Sequence, residues 1–281
     1  VPAGLPVPSG PPVPSGPPVP SGPPALAAPP SVPLRLRIGG YELLERVGAG
    51  GMAEVWMARR SVIPGGLQAC ALKIIHGRFS KEHRYQRMFL QEARLALKLR
   101  HANVVSVLDA GEADGRLYMA LEWVDGVHLR GFAQLARARL GALPVPLVCH
   151  VVGELLQGLR HAHGLRVGDQ PLGVVHRDVA PHNVLVSSAG EVKLTDFGIA
   201  RVVGEASSGE HVKGRARYMA PEQLQGDPTQ ASDLFAVGGI LHELLDGHRF
   251  REGQRRSSLA VKAVLGVFWF ALAYVLRNSS Q

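Results

Sequence analysis

Residues 176–183 read HRDVAPHN, and Asp196-Phe197-Gly198 follows thirteen residues after Asn183. Asp178 can accept the proton of an attacking hydroxyl, and the side chains of Asn183 and Asp196 can hold the magnesium ions that bridge nucleotide phosphates. Ala220-Pro221-Glu222 comes later in the same order. Three such motifs in sequence are hard to obtain by accident, so they predict a site for phosphoryl transfer.

A glycine-rich segment lies upstream, between the strand-like runs Tyr41–Val47 and Glu54–Arg59. Glycines let a backbone pass close over phosphates, where a Cβ atom would collide. Ala53 stands where the usual pattern has its third glycine, so we expect a stiffer hairpin there. The segment consists of Gly48, Ala49, Gly50, Gly51, Met52 and Ala53.

Lys73 lies in a strand-like apolar run, Ala69–Ile75. Because side chains alternate along a strand, Ala71 and Lys73 share one face, from which Lys73 can reach the α- and β-phosphates. An ammonium group among apolar residues is costly unless it is paired. We expect its partner to be Glu92, which lies in the helical run Arg84–Arg100. The apolar stripe of that helix is predicted to be Phe89, Ala93, Ala96 and Leu97.

On these motifs the chain resembles the eukaryotic-like (Hanks-type) serine/threonine protein kinases of bacteria, from about Tyr41 to about Phe250. The resemblance implies an α+β, bilobal protein-kinase fold: a β-rich N-lobe over about residues 37–124 and a helical C-lobe from about residue 125. It also implies that ATP and Mg²⁺ bind between the lobes, and that the ATP γ-phosphoryl group is transferred to Ser and Thr hydroxyls of protein substrates.

The resemblance assigns roles residue by residue. Asp178 is expected to orient and deprotonate the hydroxyl, and Lys73, held by Glu92, to orient the α- and β-phosphates. Asn183 and Asp196 are the expected metal ligands. The expected ATP-binding residues are Val47, Gly48, Ala49, Gly50, Gly51, Met52, Ala53, Val55, Ala71, Lys73, Glu122, Val124 and Leu185.

Two positions depart from the family pattern near the γ-phosphate. Ala180 stands where these kinases usually carry Lys, and Arg215 follows Gly214 where they usually carry Thr. One hypothesis is compensation, in which Arg215, or Arg217 as second choice, supplies the missing positive charge. The alternative is a nucleotide-binding pseudokinase with little or no turnover. We favour compensation because a pseudokinase normally lacks at least one of five residues that are all present in this chain: Lys73, Glu92, Asp178, Asn183 and Asp196.

By the same resemblance, Arg177 is expected to pair with a phosphorylated residue of the activation segment. Ser207 and Ser208 are the candidate phosphorylation sites, since Tyr218 belongs to the YMAPE segment and is expected to be structural. Arg177 and the Ala220-Pro221-Glu222 segment also disfavour a small-molecule phosphotransferase of the same broad fold.

The C-terminal segment, residues 251–281, does not follow the family pattern. A kinase C-lobe normally continues through several more helices, so we expect a shortened C-lobe in which Glu222 lacks its usual arginine.

Residues 259–276 are a candidate membrane helix, but their strictly apolar part, 263–276, has 14 residues, and a span needs at least about 17. The alternatives are a buried helix that finishes a shortened C-lobe, and the end of a truncated or frame-disturbed product. Basic residues before 259–276 would keep the kinase domain cytoplasmic.

Residues 1–36 form a Pro/Gly/Ser-rich tail in which PVPSGP occurs three times. Such a segment cannot bury a core, so it is predicted to be disordered. A ligand for a proline-recognising domain is the alternative.

Net charge and cysteine content exclude two further classes of protein. The net charge is +8, but aromatic residues make up only 6% and no basic stripe is interleaved with them. We therefore expect no nucleic-acid partner. Two cysteines, Cys70 and Cys149, exclude a disulfide framework and fit a reducing cytoplasm.

Overall fold

A computed structural model describes residues 36–80, 82–197 and 216–251 of the 281-residue chain. Its N-terminal half is built on an antiparallel six-stranded sheet with strand order β1-β2-β3-β4-β6-β5. The strands are β1 (Arg37–Ile38), β2 (Tyr41–Ala49), β3 (Ala53–Ile63), β4 (Gly66–Ile75), β5 (Val107–Ala113) and β6 (Arg116–Glu122). The hairpin strands β2 and β3 are longer than their apolar runs suggested, because cross-strand pairing continues to Ala49 and Glu54.

Side-chain alternation in β4 separates the apolar core from the face that carries Lys73. Cys70, Leu72 and Ile74 are buried, whereas Ala71 and Lys73 are only partly buried. The buried set packs with Tyr41, Leu43, Ala58 and other residues of the sheet. Lys73 is therefore presented on the face opposite this cluster.

Two helices, α1 (Gly77–Ser80) and α2 (His83–Ala96), follow β4. Phe89 and Ala93 of α2 are buried together with Val107, Leu117 and Met119 of β5 and β6. The prediction that Leu97 belongs to the buried stripe was wrong. Leu97 is the C-cap, just after the helix ends, and it is 40% exposed.

The C-terminal half is mainly helical, as the resemblance implied, and the bilobal α+β fold is confirmed. Its elements are β7 (Gly126–His128), α3 (Leu129–Leu140), α4 (Val145–His163), β8 (Arg166–Val167), β9 (Gln170–Pro171), a 3-10 turn (Pro181–Asn183), β10 (Val184–Ser187), β11 (Val192–Leu194), α5 (Pro221–Leu224) and α6 (Gln230–Asp246). Strands β11, β10 and β7 form a small antiparallel sheet. The turn Pro181–Asn183 leads directly into β10, so this sheet holds the C-terminal end of the HRDVAPHN loop in place.

The C-lobe core lies between α4 and α6. Leu155 and Leu159 of α4 are fully buried with Ile240 of α6. Phe250 closes this core at 1% exposure, and it lies so near Gly239 that a Cβ atom there would come within 2.8 Å of its ring. Arg251 donates a hydrogen bond to the carbonyl of Met219 and lies over the Phe250 ring.

Some expectations concern residues outside the described ranges. These residues are the tail up to residue 35, the segment 198–215 with Ser207, Ser208 and Arg215, and the segment 252–281. Within residues 36–80, 82–197 and 216–251, no helix is both long enough and apolar enough to cross a membrane. The candidate membrane helix 259–276 lies outside them.

Candidate active site

The glycine-rich hairpin is held by backbone hydrogen bonds at its tip. The amide of Gly50 donates to the carbonyl of Ala53 over 2.8 Å, and the amide of His76 donates to the carbonyl of Met52 over 2.9 Å. The His76 ring also lies 3.1 Å from the Gly50 carbonyl. Because His76 directly follows β4, the hairpin tip is fixed to the end of the strand that carries Lys73.

Lys73 lies between two carboxylates. Its Nζ is 2.6 Å from Oδ1 of Asp196 and 4.0 Å from Oε1 of Glu92. The ion pair expected with Glu92 is thus at the outer limit of contact, and Asp196 is the closer partner. Burial raises the pKa of Glu92, whereas Lys73 lowers it and Asp196 raises it further. Asp196 has a left-handed backbone with φ of 56°, a conformation that Asp tolerates better than most residues.

The HRDVAPHN loop brings Asp178 and Asn183 together. The Asn183 side-chain amide donates to the backbone carbonyl of Asp178 over 2.7 Å and to its carboxylate over 3.0 Å. The carbonyl of Asn183 in turn accepts from the amide of Thr195 over 2.9 Å. Since Thr195 precedes Asp196, the two candidate metal ligands are joined through one backbone hydrogen bond.

Asp233, in the first turn of α6, anchors the N-terminal end of the HRDVAPHN loop. Its carboxylate accepts from the backbone amides of His176 and Arg177, both over 2.8 Å, and contacts the His163 ring at 2.8 Å. The His176 ring, fully buried, also lies 3.0 Å from the carbonyl of Thr195. The sequence analysis did not identify this anchoring function of Asp233. No local pattern could reveal hydrogen bonds between residues 56 and 57 positions apart.

The expected adenine-binding residues surround the connection from β6 to β7. Ala71 pairs with Leu121 across β4 and β6, and the amide of Glu122 donates to the carbonyl of Ser106. The Glu122 carboxylate is 2.9 Å from Lys193 Nζ, so this side chain faces β11. Leu185, partly buried, pairs with Lys193 in β10 and β11.

Glu222 has a neutral hydrogen-bond partner in the described residues. Ser232 of α6 donates its hydroxyl to the Glu222 carboxylate over 2.6 Å, and Glu222 is partly rather than fully buried. The expectation that Glu222 lacks its usual arginine stays a prediction, because residues 252–281 lie outside the described ranges. Sequence patterns did not indicate the contact with Ser232, which lies ten residues downstream.

Arg177 and Ala180 occupy unusual positions in the loop. Arg177 has a left-handed backbone with φ of 66°, and its Nε–H has no hydrogen-bond partner among the residues that the structure describes. Ala180 is only 1% exposed. Of the two arginines proposed to compensate for Ala180, the described one, Arg217, is partly buried beside Tyr218.

The family described as protein kinase domain matches residues 41–275. This match extends past Phe250, where we expected the family pattern to stop. The chain is 33% identical to serine/threonine-protein kinase PrkC of Bacillus subtilis, with 80% of this chain and 33% of PrkC covered. It is 35% identical to tyrosine-protein kinase MasK of Myxococcus xanthus, with 82% of this chain and 36% of MasK covered. The chain thus spans about a third of the length of these curated relatives.

A solved structure shares the architecture. The crystal structure of the Mycobacterium tuberculosis PknI kinase domain superposes with a TM-score of 0.60 and 28% identity. The similarity covers 80% of this chain and 83% of that domain.

Proposed function

We propose that this chain, which belongs to the protein kinase family, transfers the γ-phosphoryl group of ATP to serine or threonine hydroxyls of proteins. One observation carries the proposal. The fold places the Lys73 ammonium against Asp196, which is 123 residues away in the sequence, and joins Asp196 to Asn183 and Asp178 through Thr195. Relatives named as serine/threonine-protein kinases support the choice of acceptor.

Binding of the nucleotide falls to the N-lobe and the inter-lobe connection. The Gly48–Ala53 backbone would cover the phosphates, and Val47, Val55, Ala71 and Leu185 would enclose the base. Backbone groups of Glu122 and Val124 would bind the adenine edge. Lys73 would bind the α- and β-phosphates, with Glu92 holding its ammonium in place.

The donors of Asn183 and Asp196 fit Mg²⁺. Magnesium prefers oxygen ligands and is usually bound by one or two protein carboxylates together with substrate phosphates. The Asn183 amide nitrogen is directed at Asp178, so its oxygen is the end left for a cation. Bound magnesium would neutralise the charge that develops on the phosphates.

Asp178 would orient the attacking hydroxyl and take its proton. Its backbone carbonyl and carboxylate are both held by Asn183, so the carboxylate is fixed before the substrate arrives. In a phosphoryl transfer, positioning and charge stabilisation supply most of the rate.

The γ-phosphate still needs a positive charge in place of the lysine replaced by Ala180. Compensation by Arg215 is supported by the length and permanent charge of a guanidinium, which grips phosphate with two donors. Arg217 is the second choice. Because Ala180 is buried, a lysine restored there would have to displace its neighbours to reach a phosphate, so Arg215→Ala is the cleaner probe. Its turnover should fall while ATP affinity changes little.

Arg177 would serve regulation. Its Nε–H, buried and unpartnered in the described part of the chain, is suited to an added anion. Phosphorylation of Ser207 or Ser208 would supply that anion.

Tyrosine phosphorylation is the second candidate function. MasK is named a tyrosine-protein kinase, and Ala180 matches the residue that tyrosine kinases carry at this position. The Pro181 that follows is typical of Ser/Thr kinases, which is why we rank serine and threonine first.

The test is transfer of labelled phosphate from ATP and Mg²⁺ to a generic protein acceptor, followed by phosphoamino-acid analysis. The proposal expects label on serine or threonine. Label on tyrosine alone would favour the second candidate, and no label in excess of the Asp178→Asn variant would favour the pseudokinase.

Two further proposals concern segments outside the described residues. The PVPSGP repeats would bind a proline-recognising domain, and residues 259–276 would associate with a membrane. Pull-down with an SH3 domain and flotation with lipid vesicles, each compared with a chain lacking the segment, are the tests.

A further inference from the structure

The peptide bond between Arg177 and Asp178 is tethered at both of its polar atoms. The carbonyl of Arg177 accepts a hydrogen bond from Nε2 of Gln223 over 2.6 Å. The amide of Asp178 donates to Nδ1 of His176 over 3.2 Å. Because a peptide unit is planar, these two contacts fix its orientation, and with it the direction in which the Asp178 side chain leaves the backbone.

This peptide follows a residue in a strained conformation. Arg177 has a φ of 66°, and a non-glycine residue in this region persists only when its surroundings hold it there. Asp233 binds the amide on one side of Arg177, and Gln223 binds the carbonyl on the other. Without Gln223, one of the two restraints on the strained residue is lost.

Gln223 belongs to α5, the helix that ends the activation segment. Its neighbour Glu222 is bound by Ser232, so α5 is anchored to α6 independently of the catalytic loop. A cavity of about 10 Å³ between α5, α6 and the loop has room for roughly one water molecule. The Gln223 side chain therefore connects α5 to the HRDVAPHN loop through its hydrogen bond to the Arg177 carbonyl.

We propose that Gln223 is a positioning residue that orients Asp178 through the Arg177–Asp178 peptide. This inference rests on the proposed kinase function. It assigns Gln223 no contact with substrate, so its loss should reduce kcat rather than ATP binding.

The experiment compares Gln223→Ala and Gln223→Glu with the parent chain. Glu has the shape of Gln, but its carboxylate cannot donate to the Arg177 carbonyl. Gln225→Ala is the matched control, because Gln225 is exposed and lies two residues away at the end of the same helix. We expect kcat to fall about 10- to 100-fold in both Gln223 variants. The KM for ATP and the melting temperature should stay close to those of the control.

Each outcome decides the inference. A kcat within about twofold of the control, or a parallel loss of kcat, ATP affinity and melting temperature, would show that Gln223 only packs. If Gln223→Ala fails to fold, the Glu variant gives the answer.

A parent chain without turnover would instead refute the proposed function. Hydrogen exchange over residues 176–183 then decides the inference separately: faster exchange in Gln223→Glu than in Gln225→Ala supports it, and equal exchange overturns it.

Discussion

At the scale of single residues, Lys73 of the proposed nucleotide site has two carboxylate partners at different distances. Asp196 is 1.4 Å closer to the ammonium than Glu92 is, from distances of 2.6 and 4.0 Å. If Asp196 binds magnesium in the complex, Glu92 becomes the carboxylate that keeps Lys73 aligned. The function of Glu92 should therefore appear only when nucleotide and metal are bound.

Glu92→Gln tests this division of labour. We expect turnover to fall by about 10- to 1000-fold, because an uncharged amide holds the Lys73 ammonium less firmly during phosphoryl transfer. The melting temperature without nucleotide should change little, since Asp196 still pairs with Lys73. Steady-state kinetics and thermal unfolding are the measurements, and parent-like turnover would contradict the assignment.

At the scale of elements, the segment between α2 and β5 is packed tightly on α4. Asn103 donates to Glu154 over 2.5 Å and to the carbonyl of Val192 over 3.0 Å. Its own carbonyl accepts from the amide of Leu194. This segment thus connects the N-lobe helix to the strand that leads to Asp196.

Gly158 of α4 makes that close approach possible. A Cβ atom there would lie 2.8 Å from the carbonyl oxygen of Asn103, whereas one at Gly153 of the same helix would meet nothing within 4 Å. Gly158→Ala should destabilise the fold by about 1–3 kcal/mol. Gly153→Ala should stabilise it by about 0.5–1 kcal/mol, because alanine favours helix. Denaturant unfolding of both variants is the check, and equal effects would refute the packing argument.

The stability of the packing between the Asn103 segment and α4 should depend on pH through His101. Burial lowers the pKa of His101, the nearby His161 and Arg160 lower it further, and Glu154 opposes them. The ring of His101 stacks on His161 at 4.9 Å, and its Nδ1 accepts from the amide of Asn103. The folded chain therefore takes up this proton less readily than the unfolded chain does.

Stability from His101 is accordingly present above its ordinary pKa of about 6.5 and is lost as the pH falls through and below that value. In His101→Asn, the amide oxygen can replace Nδ1 as acceptor without binding a proton. We expect its melting temperature to fall less than that of the parent between pH 7.5 and pH 5.5. His176, whose pKa is also lowered by burial, is present in both chains and cancels. An equal fall in both would contradict the prediction.

At the scale of the whole molecule, the features that could be predicted from the sequence are those with a local pattern. The alternation in β4 and the apolar face of α2 place Lys73 and Glu92 near each other, and motif spacing points to the loop with Asp178 and Asn183. Contacts between distant segments were missed, because a single hydrogen bond leaves no periodic signal. Asp233 below the loop, Ser232 against Glu222, and Gln223 against Arg177 are the examples.

The C-lobe was expected to be shortened after Phe250. The shortening stays a prediction, because residues 252–281 lie outside the described ranges. In the structure Phe250 is buried, its amide donates to the Glu243 carboxylate, and Tyr218 donates to the same carboxylate. Among the described residues, Tyr218 and Phe250 thus pack on α6.

The most direct test of the account is phosphate transfer by the parent chain and by Asp178→Asn, side by side, at saturating ATP and Mg²⁺. Asn at this position keeps an oxygen acceptor for Asn183 but cannot take the hydroxyl proton. Equal melting temperatures would verify that the fold is unchanged. The account predicts transfer to serine or threonine by the parent and a loss of about 10²- to 10⁴-fold in the variant; equal rates in the two chains would contradict it.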